Sequence, residues 1–495
     1  MRLNAKQIAN YTGGAFLVEP LDPKALITDI TWDSRNVKPG DLYVSLPGER
    51  VDGNAFVSKA IEQGAAAALV TLPPDDATKV LAREMGAALI EVSDGAAAIT
   101  DLARAWRPNL KGKVIGLTGS TGKTTTKNLV RDVLATRFSV AATLANQNNE
   151  LGVPRTLLGA DPETECVIVE MGMRGLGQIE SLCDFVHPDW GIITNVGESH
   201  IELLGSRENI ARAKSELPAA LPNGVGWAFV NAGDDYGDFV IEQARLAERG
   251  VTCVRYDGTE HAASADYAAK AKADGPCVWA EDVELDDQGC PRFTLRVAGF
   301  PQELEGDAQG VLCQLNLRGL HNVQNACAAA GVARALGMSL AQIAQALLQA
   351  LPESGRQEVL SARGGFTVIN DAYNASPDSM RAALSTLCSM AVRGRRVAVL
   401  GDMGELGDYA QACHAGVGEV VASLPVDYLV CVGPLSGYLA QAAQKAGMDP
   451  GHIEHVQNTA EALGFLEAYV DKDDVVLVKA SHAMGLTRIV EGLVS

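Results

Sequence analysis

The stretch from Val114 to Lys127 carries the residue types that bind a phosphate chain. An apolar run, Val114-Ile115-Gly116-Leu117, leads into a glycine-rich turn that ends in Gly122-Lys123-Thr124. Glycines allow successive backbone N–H groups to point at one anion, a lysine can reach the outer phosphates, and a threonine hydroxyl can hold a magnesium ion. Leu117 stands where the strict motif has glycine, so an ordinary strand-to-helix turn is the alternative interpretation. We predict a nucleotide phosphate site formed by Gly119, Ser120, Thr121, Gly122, Lys123, Thr124 and Thr125.

Polar side chains follow the apolar runs that come after this turn. Glu170 ends the run Cys166-Val167-Ile168-Val169, and Asn195 closely follows another run. Such runs, separated by helical stretches, predict a buried and mostly parallel sheet, in which ligands bind beyond the carboxyl ends of the strands. We therefore expect Glu170 and Asn195 to face the same crevice as Lys123. The Glu170 carboxylate would then be a partner of the magnesium ion held by Thr124.

Three further groups could take part in chemistry, and two of them have simpler explanations. His200 follows Asn195 after a short loop, where a single histidine is more often a hydrogen-bonded loop residue. Lys214 lies on a predicted helix, where a solvated lysine is the common case. The run Asn146-Gln147-Asn148-Asn149 offers uncharged donors and acceptors, which suit sugar or peptide amides.

A segment near the amino terminus is another candidate binding loop. Ser34 and Arg35 precede a Pro39-Gly40 corner and a short strand. The two side chains could bind a phosphate group or the edge of a uracil ring. A solvated turn is the alternative interpretation of the same residues.

The composition limits the classes of partner. The chain has 495 residues, more than one hydrophobic core normally spans, and a formal net charge of −20, which argues against nucleic acid or an anionic membrane as the main partner. Its ten cysteines show no Cys-x-x-Cys pair, which favours reduced thiols over a disulfide framework or a zinc site. The first residues lack the apolar run of a secretion signal, and no later run has the length of a membrane span. We expect a cytoplasmic protein without membrane insertion.

The order of the predicted elements divides the chain into three α/β domains. Residues 1–108 alternate short strands with alanine-rich helices, residues 109–351 form the phosphate-loop domain with its mostly parallel sheet, and residues 352–495 have a Rossmann-like pattern. The last domain lacks a Gly-x-Gly-x-x-Gly loop, so we do not expect a dinucleotide there. Residues 278–297 alternate in polarity around a central turn and predict a hairpin with a structural role.

The motifs occur in the order found in the Mur ligases, and the chain resembles this family over essentially its whole length. The family's phosphate loop has the compact Gly-x-x-Gly-Lys-Thr form, which accounts for Leu117. The resemblance implies ATP and one or two Mg²⁺ ions as cofactors, and it implies that Lys123, Glu170, His200 and Lys214 are catalytic. Glu170 and His200 would be magnesium ligands, and Lys214 matches a lysine that becomes a ligand after carbamylation. The matching segments are residues 119–125, 146–149, 170–172, 194–200 and 213–216.

Other positions take their expected roles from the same resemblance. Asn322 and Asn325 match a segment that borders the adenosine, although packing between domains would also explain their helix. Arg356, Asp371 and Lys479 match residues that close over the nucleotide and the reaction centre. The expected contacts of the UDP-linked substrate are Ser34, Arg35, Asn148 and Asn149, and the candidates for the incoming amine are Tyr373, Asn374 and Lys479.

The segment from Asp371 to Met380 selects among the members of this family. It resembles the Asp-x-Tyr-Asn-Ala-Asn-Pro segment of ligases that add a dipeptide, and not the Tyr-Ala-His-x-Pro segment of those that add diaminopimelate or lysine. The resemblance implies transfer of D-alanyl-D-alanine to UDP-N-acetylmuramoyl-tripeptide through an acyl phosphate, a step of peptidoglycan synthesis. A sister ligase that adds one amino acid and a nucleotide-binding regulator without catalysis are the alternatives.

Three positions depart from the family pattern. Ser376 and Asn54 replace a usual asparagine and histidine, and His482 replaces a usual arginine. A histidine is only partly charged near neutral pH, so the role of His482 stays open. The match is weakest between residues 249 and 307. We expect a monomer. We also expect the third domain to close onto the second, with residues 352–355 as the hinge.

Overall fold

The structure is a computed structural model that describes residues 1–48, 51–259 and 275–495. It contains a two-stranded ribbon and three larger sheets of five, nine and six strands. Part of the weakly matching region, residues 260–274, lies outside the described residues. In the parts of the chain that are described, no helix has both the length and the apolar character needed to cross a membrane.

The amino-terminal unit is built on the five-stranded sheet. Its elements are β1 (Leu3–Asn4), α1 (Ala5–Thr12), β2 (Ala15–Val18), β3 (Leu26–Ile27), β4 (Ile30–Thr31), β5 (Leu42–Val44), α2 (Val57–Glu62), β6 (Ala67–Val70), α3 (Asp76–Met85), β7 (Ala88–Glu91) and α4 (Gly95–Trp106). The strand order is β2-β7-β6-β5-β4, and every pair except β2 with β7 is parallel. The Trp106 indole at the end of α4 donates a 3.0 Å hydrogen bond to the carbonyl of Ala160 and so ties this unit to the next one.

The central unit is built on the nine-stranded sheet. Its elements are β8 (Lys113–Thr118), α5 (Lys123–Ala135), β9 (Val140–Ala142), α6 (Gly152–Leu158), β10 (Cys166–Glu170), α7 (Gln178–Val186), β11 (Trp190–Ile193), α8 (Ile201–Leu204), α9 (Arg207–Ala219), β12 (Trp227–Asn231), α10 (Gly237–Gln243), β13 (Thr252–Asp257), β14 (Cys277–Leu285), β15 (Pro291–Ala298), β16 (Val311–Gln314), α11 (His321–Ala335) and α12 (Leu340–Gln349). The strand order is β16-β15-β14-β13-β12-β11-β8-β10-β9, with parallel pairing from β9 to β14.

The antiparallel end of this sheet confirms the predicted hairpin. Strands β14 and β15 pair antiparallel, and β16 follows as the edge strand. The hairpin therefore extends the parallel sheet and does not form a separate unit.

The phosphate-loop strand lies between the two strands whose polar ends were singled out in the sequence. Strand β8 pairs with β10 on one side, where Leu117 is opposite Glu170, and with β11 on the other, where Thr118 is opposite Ile193. Apart from the exposed Lys113 and the polar ends Thr118 and Glu170, the three strands are buried and apolar, as expected for a parallel sheet covered by helices on both faces. Their carboxyl ends therefore present the phosphate loop, Glu170 and the Thr194-Asn195 loop at one edge.

The carboxyl-terminal unit is built on the six-stranded sheet. Its elements are β17 (Glu358–Ser361), β18 (Thr367–Asp371), α13 (Pro377–Ser389), β19 (Arg396–Gly401), α14 (Ala410–Ser423), β20 (Tyr428–Val432), α15 (Ser436–Lys445), β21 (Ile453–Val456), α16 (Thr459–Tyr469), β22 (Val475–Lys479) and α17 (Thr487–Val494). The strand order is β17-β18-β22-β19-β20-β21, parallel except for β17. Asp371 and Lys479 are opposite each other at the ends of β18 and β22.

The three α/β units confirm the predicted fold class, whereas the exact domain bounds of 1–108, 109–351 and 352–495 remain a prediction. The ten cysteines lie in the central and carboxyl-terminal units, and none is exposed: seven are buried and three are partly buried. Burial raises the pKa of nine of the ten thiols, to about 11 for the partly buried Cys388. These thiols are therefore poor nucleophiles in the folded protein.

Candidate active site

A cavity of about 1670 Å³ is lined by residues of all three units, among them Trp32, Lys123 and His482. Four of the predicted site residues do not line it: Gly119, Ser34, Arg35 and Lys214. The other predicted site residues line it: Ser120, Thr121, Gly122, Lys123, Thr124, Thr125, Asn148, Asn149, Glu170, His200, Asn322, Asn325, Arg356, Asp371, Tyr373, Asn374 and Lys479.

The phosphate loop is fixed by the neighbouring strand end. The backbone N–H of Thr121 donates a 2.9 Å hydrogen bond to Oδ1 of Asn195. At Gly119 an added Cβ would lie 1.7 Å from Oγ1 of Thr194, so the close approach of the two loops requires glycine there. The Lys123 ammonium donates to the carbonyls of Gly119 at 2.8 Å and Ser120 at 3.2 Å, and burial lowers its pKa. A cation is thus held inside the loop that would surround the phosphates.

The surroundings of Glu170 fit a magnesium ion. Its Oε1 accepts a 2.8 Å hydrogen bond from Asn148 and lies 3.3 Å from the Thr124 hydroxyl. Its Oε2 is buried without a hydrogen bond, and the nearest cation is the Lys127 ammonium at 3.8 Å. A buried carboxylate oxygen in this state is a suitable ligand for a hard cation. The described residues contain no cluster of three His, Cys, Asp or Glu side chains suited to a metal, which is compatible with Mg²⁺ because that ion takes most ligands from water and phosphate.

His200 and Lys214 are not hydrogen-bonded to Glu170. Nδ1 of His200 lies 2.5 Å from Oε2 of Glu405, which belongs to the carboxyl-terminal unit. Burial lowers the pKa of His200, and the Glu405 carboxylate opposes this shift. The Lys214 side chain is 1% exposed, and burial, assisted by the nearby charge of Lys123, lowers its pKa well below the ordinary lysine value. Lys214 is therefore a buried amine, and not the solvated lysine of the simpler interpretation.

The residues expected to bind the UDP-linked substrate have mixed positions. Ser34 is buried, whereas Arg35 is exposed and pairs with Asp33 at 2.8 Å. Through Oδ1, Asn149 accepts a 3.0 Å hydrogen bond from the backbone N–H of Gly152, the first residue of α6. The amino-terminal unit instead reaches the cavity through Trp32, Thr100 and Arg104, which the sequence patterns did not single out.

Asn322 and Asn325 line the cavity and also join two helices. Oδ1 of Asn325 accepts a 3.0 Å hydrogen bond from Thr126 on α5, while its Nδ2 donates to Oδ1 of Asn322 at 2.9 Å. Nδ2 of Asn322 donates to the carbonyl of Arg318 at 2.7 Å. These hydrogen bonds are those expected from the packing interpretation, whereas the nucleotide role of the two side chains remains a prediction.

The carboxyl-terminal unit contributes an ion pair and an aromatic stack. The Lys479 ammonium donates to Oδ2 of Asp371 at 2.7 Å and to the carbonyl of Asn374 at 2.9 Å. The Arg356 guanidinium lies 4.4 Å from the centre of the Tyr373 ring, and the His482 ring lies 5.7 Å from the same ring. His482, whose role the sequence left open, is therefore part of this cavity wall.

Lys127 and Glu405 were also missed in the sequence. Lys127 is fully buried, donates to the carbonyl of Ala145 at 2.9 Å and lies beside Glu170. Its position four residues after Lys123 places it on the same side of α5, which is a usable signal. Glu405 has no local signal, because its partner His200 is distant in the chain.

Family models match three successive parts of the chain. They are described as "Mur ligase family, catalytic domain" for residues 26–107, "Mur ligase middle domain" for residues 117–333 and "Mur ligase, glutamate ligase domain" for residues 355–482. The matches fall in the amino-terminal, central and carboxyl-terminal units, respectively.

Known proteins match over the full length as well. A UDP-N-acetylmuramoyl-tripeptide–D-alanyl-D-alanine ligase of Mycobacterium tuberculosis is 37% identical, with 100% of this chain and 98% of the relative covered. The ligase of the same name from Bacillus subtilis is 33% identical, with 100% and 99% covered. A crystal structure of MurF from Acinetobacter baumannii, 31% identical, superposes with a TM-score of 0.81 over 100% of this chain and 99% of that one. The chain belongs to the Mur ligase family.

Proposed function

We propose that this protein joins D-alanyl-D-alanine to UDP-N-acetylmuramoyl-tripeptide in an ATP-dependent reaction. The observation that carries the proposal is the single cavity, where the phosphate loop, the Glu170 carboxylate and the polar strand ends of the carboxyl-terminal unit meet. The relatives that cover the chain from end to end carry the name of this ligase. The Asp371 to Met380 segment, which resembles the dipeptide-adding ligases, favours the same substrate.

The first step forms an acyl phosphate. An oxygen of the free carboxylate of the tripeptide attacks the terminal phosphorus of ATP, the new P–O bond forms, and ADP leaves as the old P–O bond breaks. Residues 119–125 would hold the phosphates, with the Lys123 ammonium offsetting charge on the transferred group. Asn322, Asn325, Arg356 and Asp371 are our candidates for contacts with the rest of the nucleotide.

Thr124 and Glu170 would hold Mg²⁺, of which the family uses one or two. When bound, the ion supplies positive charge that lowers the cost of bringing anionic groups together. His200 is a further proposed ligand. Lys214 becomes one if it is carbamylated, and burial favours that reaction because the neutral amine attacks carbon dioxide, forms a C–N bond and loses a proton.

The second step forms the amide. The amine of D-alanyl-D-alanine attacks the acyl carbon, the amine loses a proton, and the tetrahedral intermediate expels phosphate. Tyr373, Asn374 and Lys479 are the proposed contacts of the dipeptide or the reaction centre. Positioning two reactants in one cavity can supply roughly 7–11 kcal/mol of the lowering of the barrier.

The proposed contacts of the UDP-linked acceptor are Ser34, Arg35, Asn148 and Asn149. Because Ser34 and Arg35 do not line the cavity, their assignment rests on the sequence pattern. We also propose that the protein acts in the cytoplasm as a monomer, which light scattering of the purified protein would test.

The test of this function is phosphate release by the purified protein with ATP, Mg²⁺ and UDP-N-acetylmuramoyl-tripeptide. We expect release that depends on added D-alanyl-D-alanine, with the UDP-N-acetylmuramoyl-pentapeptide identified by mass. Release with one amino acid and a shorter acceptor, but not with the dipeptide, would assign the protein to a sister ligase. Nucleotide binding without release under any of these conditions would favour the regulator.

A further inference from the structure

One carboxylate of the carboxyl-terminal unit joins the two loops that flank the phosphate site. Glu405 lies in the loop after β19, with Oε2 2.5 Å from Nδ1 of His200 and Oε1 3.2 Å from Nη2 of Arg174. Arg174 follows β10 and His200 follows β11, the two strands on either side of β8. The contact therefore crosses between units beside the phosphate loop.

The loop that carries Glu405 is fixed on its own unit. The backbone N–H of Gly404 donates to Oγ of Ser481 at 2.8 Å, and that of Met403 donates to Nε2 of the buried His414 at 2.9 Å. The N–H of Ser481 donates to the carbonyl of Asp402 at 3.1 Å. Glu405 is thus positioned by the carboxyl-terminal unit, and any movement of that unit moves it relative to His200.

Both residues of this contact have unusual backbone conformations. Glu405 has a φ of 60° and His200 a φ of 63°, which is the left-handed region that side chains rarely adopt. Such conformations persist where the surrounding structure imposes them, and they concentrate at functional sites. The two residues of this contact between units therefore both have constrained backbones.

The choice of nitrogen has a chemical consequence. A carboxylate that lies against one ring nitrogen of a histidine favours the proton at that nitrogen and leaves the lone pair of the other. Glu405 faces Nδ1, which leaves Nε2 as the nitrogen available to a cation or a phosphate oxygen. Carboxylate partners of this kind fix the ring orientation of metal-binding histidines.

We propose that Glu405 is a positioning residue that aligns His200 when the carboxyl-terminal unit is closed, so that closure completes the magnesium site. This inference rests on the proposed function, in which His200 is a magnesium ligand. Glu405 itself would touch neither nucleotide nor metal. It would make the affinity for the divalent cation depend on the position of the third unit.

The experiment measures the affinity of Mn²⁺, as a paramagnetic substitute for Mg²⁺, by electron paramagnetic resonance with a non-hydrolysable ATP analogue present. Glu405→Ala should weaken Mn²⁺ binding about 10-fold or more, in the range seen for other carboxylate partners of metal-binding histidines. Glu405→Gln should lose less, because its amide keeps the size of the side chain and an oxygen beside Nδ1 of His200. Tyr409→Phe is the matched control, since its hydroxyl donates to the Gly205 carbonyl at 3.0 Å from a position close in the chain without contacting His200. We expect this variant to lose much less affinity than Glu405→Ala.

A double-mutant cycle separates positioning from a general loss of contact between units. In the His200→Ala background, Glu405→Ala should have little further effect on Mn²⁺ affinity if it acts through His200. The proposal would be overturned if Glu405→Ala bound Mn²⁺ as tightly as the wild type. It would also be overturned if Glu405→Ala weakened Mn²⁺ binding by the same factor in the His200→Ala background. A wild type that binds no Mn²⁺ with the nucleotide would overturn it as well. A protein that shows the predicted Mn²⁺ behaviour but releases no phosphate with the dipeptide would overturn the proposed function alone.

Discussion

At the scale of single residues, Lys123 is held where a chain of phosphates would lie. Its ammonium donates hydrogen bonds to two carbonyls of its own loop, and burial lowers its pKa. Burying a charged ammonium costs folding free energy unless the charge is paired. A bound phosphate would supply that partner. Lys214 is also fully buried, and its pKa is lowered well below the ordinary lysine value, whereas Lys111 lies at the surface.

Lys123→Ala should abolish turnover while leaving the fold intact. The variant loses the charge that offsets the transferred phosphoryl group, a loss we expect to reduce kcat by at least about 10²–10³-fold. Phosphate release measures the effect, and circular dichroism with thermal unfolding checks the fold. Lys111→Ala, which removes an exposed lysine, should behave like the wild type. A Lys123→Ala protein with near-normal turnover would contradict the assignment of the phosphate loop.

His321 at the start of α11 predicts a pH dependence of stability. Burial, with a smaller contribution from the Lys479 charge, lowers its pKa from 6.5 to about 4. Between these values the unfolded chain binds a proton that the folded protein excludes, so the free energy of unfolding falls as the pH drops from 6.5 to about 4. His321→Gln should lose less stability over this range in urea unfolding experiments. The exposed His452→Gln is the control, and parallel curves for His321→Gln and the wild type would contradict the prediction.

How far residues could be predicted depends on whether their partners are local. The phosphate loop was predictable because its glycines, Lys123 and Thr124 act through one short stretch of backbone. The pairing of Glu405 with His200 depends on how two units dock, which no local pattern records. Asn148 was expected to bind a substrate, and its hydrogen bond to Glu170 could be found only from the relative position of two loops.

At the scale of elements, the junction from β8 to α5 is the rigid part of the site. The alternation of apolar strands and helices predicted this junction and its neighbours because a parallel sheet must be buried on both faces. The predicted hairpin was also correct, since its polarity alternates. The strand order was beyond the sequence patterns, because it depends on long-range pairing of strands far apart in the chain.

Gly119→Ala should weaken nucleotide binding about 10-fold or more, by our estimate from steric exclusion in a packed loop. The added methyl group would meet the Thr194 hydroxyl at 1.7 Å, so the phosphate loop must shift away from the neighbouring strand end. Isothermal titration with ATP and Mg²⁺ measures the change. Gly464→Ala, in open space on α16, should bind nucleotide normally and gain a little stability. Equal affinities for the two variants would show that the loop adapts.

At the scale of the whole molecule, the site is complete only where units meet. The Asn128 side chain on α5 donates to Glu353, just before β17, at 2.8 Å, and Arg381 on α13 lies 3.6 Å from Glu198 after β11. Surface contacts of this kind are individually weak, and we propose that the carboxyl-terminal unit opens and closes across them. We expect substrate binding to select the closed arrangement.

Gly407→Ala should hinder closure. Gly407 has a φ of 49°, and a Cβ there would lie 2.6 Å from Cγ of Glu202 in the central unit. With an ATP analogue and the acceptor bound, small-angle X-ray scattering should give a larger radius of gyration for this variant than for the wild type. Gly404→Ala, whose added Cβ would lie at an ordinary 3.5 Å from Ser481, should be as compact as the wild type. Scattering curves that coincide for all three proteins would contradict the prediction.

Because seven of the ten cysteines are buried and three are partly buried, the natural protein is suitable for site-selective labelling. At pH 7 a thiol with a pKa of about 11 is ionised in only about one molecule in 10⁴, so maleimide dyes would react slowly with Cys388 and with the more deeply buried thiols. Cysteines introduced at two exposed positions, such as Val225 and Glu467, would then be the preferred sites of attachment. A donor and an acceptor dye placed there would report the distance between central and carboxyl-terminal units one molecule at a time, with no native cysteine replaced.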